Sequence, residues 1–188
     1  MKEGGADMRM WTVQMPVVDE TLERDGVSYV KKDYLRLKYG ETAWVFLTAY
    51  DYMIREMEKR VPRPEPAESP IWVFRDKSRV FCSSGAILYE LEIPDDEMVL
   101  FDLRSWQTIL SLGPIGPEKE REAILSDMKR QGIGDTTDVF KKPFYPLLKK
   151  KIRDSWKHLL EEVPEDETYQ QGAVWRLKKE WIINRCLL

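Results

Sequence analysis

One stretch, residues 86–110 (AILYELEIPDDEMVLFDLRSWQTIL), constrains the fold more than any other part of the chain. Ile87, Tyr89, Leu91 and Ile93 alternate with acids at Glu90 and Glu92, the period-2 pattern of a half-buried strand. Pro94 has no N–H to give to a ladder and ends that strand. Asp95, Asp96 and Glu97 then read as a solvated turn. A second apolar run covers 98–101, and Asp102 sits where a helix N-cap belongs, ahead of Leu103, Trp106, Ile109 and Leu110 at helical spacing. Strand, acidic turn, apolar run and capped helix in direct succession imply an α+β chain.

The remaining segments supply partners for that unit. Residues 10–15 (MWTVQM) form a short strand with Trp11, Val13 and Met15 on one face and Thr12 and Gln14 on the other; Pro16 closes it. Val17, Val18, Thr21 and Leu22 give helical spacing up to the stop signal Asp25-Gly26, after which Val27, Tyr29 and Val30 suggest a second strand and 31–33 a loop. Residues 42–60 form the longest helix, with Val45, Phe46, Ala49, Tyr50, Met53, Ile54 and Met57 as a core stripe. Pro62, Pro64 and Pro66 impose an extended connector. Residues 71–74 read as a strand, 118–130 as a charged helix broken by Gly132 and Gly134, and the segment up to Phe140 as a polar linker. Residues 173–177 and the apolar run from 181 to 188 close the chain as strand candidates. With 188 residues and 43% hydrophobic content, the expectation is one α+β domain over 10–188, a small twisted, mostly antiparallel sheet with helices packed around it, behind a disordered extension at 1–9.

Composition removes several classes of chemistry. One histidine, His158, and two cysteines, Cys82 and Cys186, are too few for a structural zinc site or a disulfide framework, so no metal cofactor is expected. His158 lies in a basic helical stretch and reads as a helix-surface residue. Neither a Walker loop nor a G-x-G-x-x-G pattern occurs. No apolar run approaches the roughly 18 residues of a membrane span, and the polar opening MKEGGADMRM has no signal-peptide core, so a cytoplasmic protein without membrane partners is expected. The net charge of -3 argues against a chain built as a whole to coat nucleic acid. Locally the balance differs: residues 141–157 (KKPFYPLLKKKIRDSWK) carry seven basic residues against one acid. Lys141, Lys142, Lys149, Lys150, Lys151 and Arg153, interleaved with Phe144, Tyr145 and Trp156, are the candidates for phosphate contact. The competing reading is a solvated helix face with Leu148, Ile152 and Trp156 packed inward, neutralised by the acidic run at 161–167.

The segments MWTVQ, AYDYMIREMEKR, PIWVF, LYELEIPDDEMVLFDLRSW and QQGAVWRLKKEWI together resemble a bacterial domain-of-unknown-function family over most of the chain from Met10 onward. The strand and turn LYELEIPDDEMVLFD are also similar to the centre of ADP-ribosyltransferase-like domains of phage and mobile-element proteins. That second resemblance implies NAD or a related nucleotide as the small-molecule ligand. In such domains a late Glu contacts the nicotinamide ribose and stabilises the developing oxocarbenium ion, and a His or Arg on the first strand orients NAD. Gln171 stands at the Glu position, and Thr12 or Gln14 on the first strand. Trp11 and Trp72 are the stacking candidates, and Tyr89 completes the expected NAD-contacting set. Gln supplies no negative charge to a cationic transition state, and neither Thr12 nor Gln14 supplies a positive one. The resemblance therefore implies transfer that is lost, altered or dependent on Glu167 or Glu180. It also requires the first strand and the Gln171 strand to be neighbours, with Thr12 and Gln14 converging on Gln171. The alternative, from another class, is a noncatalytic module that engages a protein or nucleic acid through 141–157.

Overall fold

The computed structural model describes residues 7–188. Its strands are β1 (Asp7–Gln14), β2 (Val27–Ser28), β3 (Ile71–Phe74), β4 (Ile87–Pro94), β5 (Met98–Asp102), β6 (Gln170–Val174), β7 (Leu177–Lys178) and β8 (Ile182–Leu187). Its α-helices are α1 (Pro16–Asp25), α2 (Asp33–Tyr39), α3 (Ala43–Glu58), α4 (Leu103–Leu110), α5 (Glu118–Arg130), α6 (Thr136–Lys141) and α7 (Pro146–Ser155). The architecture is α+β, with a six-stranded antiparallel sheet in the order β5-β6-β3-β1-β4-β8 and a separate ribbon of β2 and β7. Two compact units divide the described residues: one comprises 7–34 with Ile54–Leu100 and Pro164–Leu188, the other Leu35–Met53 and Phe101–Val163.

The first unit is the sheet. β1 and β4 pair along their whole length, from Asp7 opposite Pro94 to Gln14 opposite Ile87, and β8 continues the ladder beyond β4. The alternation in β4 does what its pattern demands: Tyr89, Leu91 and Ile93 are fully buried while Glu92 faces solvent. With Met10, Ile71, Val73, Val174 and Leu22 of α1 they form one apolar cluster. Each fully buried large side chain contributes roughly 1.5–3 kcal/mol. α1 opens on Pro16 and stops at Gly26, whose φ of 75° lets its N–H reach back to the Leu22 carbonyl.

Two expectations need correction here, and one point left open is decided. β1 begins at Asp7, so 7–9 belong to the sheet rather than to an extension, and 1–6 lie outside the described residues. The spacing of β1 leaves open which of its faces is buried; the buried one carries Met10 and Thr12, because pairing places Met10 opposite Leu91 and Thr12 opposite Tyr89 on the clustered face. In the acidic turn Asp95 and Asp96 are exposed as expected, but Glu97 turns back to accept from Arg176 at 2.7 Å and Lys178 at 3.0 Å.

In the second unit Asp102 caps α4 by accepting from the Arg104 N–H at 2.7 Å, as its position predicts. The core is aromatic. Trp156, 1% exposed, donates its indole N–H to the Gly113 carbonyl at 2.8 Å, accepts at its own carbonyl from the Tyr52 hydroxyl at 2.6 Å, and stacks on Phe140. The segment expected to be a polar linker before Phe140 contains α6, and the expected loop at Asp33 begins α2. Both helices are too short for a periodic apolar stripe to show. For α6 the capping pair was the available signal: Asp135 accepts from both the N–H and the hydroxyl of Thr137.

Candidate functional site

Cross-strand partners share a face of a sheet. Trp11 is opposite Phe74, and Phe74 is opposite Gln171, so these three form one row across β1, β3 and β6. Trp72, two residues from Phe74, lies on the same face, opposite Ala173. Trp11, Trp72 and Phe74 are half-buried and Gln171 is 3% exposed. The Gln171 carbonyl oxygen Oε1 is buried with no hydrogen-bond partner among the described residues. Its neighbour Gln170 is satisfied by contrast, donating to the Pro164 carbonyl at 2.7 Å. An orphaned buried acceptor costs about 1–3 kcal/mol, which makes Gln171 the exceptional group of this face.

The other expected contacts lie across the sheet. Thr12 pairs with Tyr89 on the apolar-cluster face, and Gln14, two residues on, shares it. The strands carrying Thr12 and Gln171 are not neighbours either, since β3 runs between them. Thr12, Gln14 and Tyr89 therefore do not converge on Gln171. Their polar groups are already used: the Thr12 hydroxyl donates to the Trp72 carbonyl at 2.9 Å, the Gln14 amide donates to the Thr12 Oγ1 at 2.9 Å, and the Tyr89 hydroxyl donates to Asp19 at 2.8 Å. Burial, reinforced by the Asp19 carboxylate, pushes the Tyr89 phenol above its ordinary range.

Sequence reasoning missed Arg75, whose only signal was a cation directly after the PIWVF strand. Its backbone N–H donates to the Gln170 carbonyl, and its guanidinium donates to the Arg9 carbonyl at 2.9 Å and to Glu167 at 2.8 Å. It thus ties β1, β3 and the start of β6 together directly after Phe74. Of the two acids considered as substitutes for a catalytic Glu, Glu167 is paired with Arg75 and Glu180 with Lys178. On the Trp11 side lies a cavity of about 40 Å³, room for water rather than ligand, lined in part by Trp11, Lys77 and Glu90.

In the basic stretch, Leu148, Ile152 and Trp156 do pack inward. Three of the candidate lysines are committed to acids: Lys142 to Asp138, Lys150 to Asp154 and Lys151 to Asp127. Lys149 donates to the Phe140 carbonyl and Arg153 lies 5.4 Å from the centre of the Phe140 ring. Lys141 and Lys157 have no ion-pair partner among the described residues. Phe144 and Leu147 are 78% and 76% exposed beside them in sequence.

His158 is more enclosed than a helix-surface residue. Its Nδ1 is 2.6 Å from Glu161, its Nε2 is 3.1 Å from Glu120, and it borders a cavity of about 260 Å³ lined also by Asp102, Ser105, Gly116, Pro117 and Glu162. Gly116, at a φ of 100°, has to be glycine: a Cβ there would lie 2.3 Å from the His158 Cδ2. Asp102 on the cavity wall works against burial, yet its hydrogen bonds from Arg104 hold the carboxyl below its usual range. Among the described residues no cluster of three or more His, Cys, Asp or Glu side chains is arranged to hold a metal ion, and no helix is long and apolar enough to cross a membrane.

The site is thus a sheet face with an aromatic row and an unsatisfied carboxamide, in an α+β chain whose segments resemble a domain-of-unknown-function family. Residues 9–183 match the family model described as domain of unknown function DUF3841, and the chain belongs to that family. Neither a curated protein nor a solved structure matches it.

Proposed function

We propose that the chain binds NAD or a related nucleotide on the sheet face that carries Trp11, Trp72, Phe74 and Gln171. The observation that supports this is the orphaned Gln171 Oε1, an acceptor of the kind a ribose hydroxyl donates to. β1 and β6 are two strand spacings apart, about 9–10 Å, a distance a nucleotide bridges, with the rings of Trp11 and Phe74 on the face between them. Arg75, directly after Phe74, is a cation near the row, already paired with Glu167. A neutral carboxamide does not stabilise an oxocarbenium ion, and β3 lies between β1 and β6, so the arrangement that ADP-ribosyl transfer requires is not formed and the reading is nucleotide binding alone. Calorimetry of NAD with the wild type and with Gln171→Leu, followed by an assay for released nicotinamide, tests it. The expected outcome is wild-type binding that the substitution abolishes; equal binding by both proteins, or none by either at millimolar NAD, defeats the reading.

A second reading is favoured by Phe144 and Leu147, which stand exposed in a basic stretch. It makes 141–157 a noncatalytic docking surface for an anionic macromolecule.

A further inference from the structure

Building on the docking reading of 141–157, we infer that the partner is single-stranded nucleic acid. Residues 141–157 carry seven basic side chains and one acid, and the cations fall into three groups, of which Lys149 and Arg153 are held against Phe140. Lys142, Lys150 and Lys151 are neutralised within the unit by Asp138, Asp154 and Asp127. Lys141 and Lys157, without an ion-pair partner among the described residues, keep their charge for an outside anion. An acidic protein surface would match those charges, but it gives no role to a bare phenyl ring among them. Phe144 is that ring: it sits in the turn ahead of α7 and is 78% exposed. Trp156, the other large aromatic of the stretch, is 1% exposed and fully used inside the unit, so it offers no surface for stacking.

An unpaired nucleotide supplies both missing partners at once, a phosphate for the lysines and a base whose π face covers the phenyl ring. A duplex supplies the phosphates but keeps its bases stacked on one another. Leu147, in the first turn of α7 and 76% exposed, extends the apolar platform beyond Phe144. The surface therefore fits an oligonucleotide strand running the length of α7, from Lys141 and Phe144 ahead of its first turn to Lys157 beyond its last.

The test measures anisotropy of fluorescein-labelled oligothymidylate with the whole chain, with labelled heparin as a polyanion without bases and anionic phospholipid vesicles as a third probe. Phe144→Ala is expected to weaken oligothymidylate binding by about tenfold and leave heparin binding unchanged. Lys141→Gln and Lys157→Gln are expected to weaken both and to reduce the slope of affinity against salt by about one each. The substituted side chains are exposed, so circular dichroism should show an unchanged fold. If Phe144→Ala leaves oligothymidylate binding intact, or weakens heparin equally, the nucleic-acid assignment fails while the docking reading stands. Vesicle binding lost in Phe144→Ala, with no oligothymidylate binding, overturns it in favour of a lipid surface. No binding to any of the three probes overturns the docking reading as well.

Discussion

The two faces of the central sheet treat buried polar groups in opposite ways. On the face of the apolar cluster, Thr12 and Tyr89 sit among Met10, Leu91 and Ile93, and each hydroxyl has a partner at hydrogen-bond distance. On the other face Gln171 is almost as deeply buried as Thr12, and its Oε1 has none among the described residues. Burial alone does not separate a structural polar residue from a binding one. What separates them is whether the folded chain itself completes the hydrogen bonds, because an uncompleted acceptor is a standing cost that a ligand removes.

The comparison is open to attack by substitution. The largest effect belongs to the closed face: Leu91→Ala, at a fully buried position, is expected to cost about 2–5 kcal/mol in urea unfolding. A loss below 1 kcal/mol, on the order of a surface substitution, would mean that this cluster does not carry the fold. Thr12→Val keeps shape and removes a used hydroxyl, which should cost about 1 kcal/mol, since Gln14 loses its acceptor. Gln171→Leu should have the opposite sign, raising stability by up to about 1 kcal/mol as the orphan disappears. Like signs for these two polar-to-apolar changes would erase the distinction between the faces.

The smallest effect concerns pH. Burial opposes the charge of Glu97, but the hydrogen bonds from Arg176 and Lys178 prevail and hold its carboxyl below its ordinary value of 4.5. A carboxyl depressed in the folded state binds its proton more readily when unfolded, so its contribution is present above pH 4.5 and is lost as pH falls through the folded value. The stability gap between the wild type and Glu97→Gln should accordingly narrow in acid melts below that pH. A gap independent of pH would show that the ion pair contributes nothing.

Local patterns in the chain were read correctly where one periodicity dominated. β4, its proline stop, the Asp102 cap, the long α3 and the charged α5 appear where alternation, capping chemistry and helical spacing place them. Reading failed where both sides of an element are partly covered. In β1 alternation separated Trp11 and Val13 from Thr12 and Gln14 without deciding which face is buried, and pairing to β4 turned Met10 and Thr12 inward. The site showed the same limit: Gln171, Trp11 and Trp72 do share a face, while Thr12, Gln14 and Tyr89, equally plausible as residue types, occupy the other. Arg75 carried no recognisable motif, because its importance lies in tying three segments far apart in sequence.

By itself the sequence determined which segments extend, which coil into helices and where each stops, since those outcomes depend on side-chain spacing, proline, glycine and capping groups within a few residues. Only the tertiary structure decided the strand order, the face each side chain joins and which buried polar group is left without a partner. Strand pairing has a period of two, so one position of register moves every side chain to the opposite face, and the pairing partner lies tens of residues away.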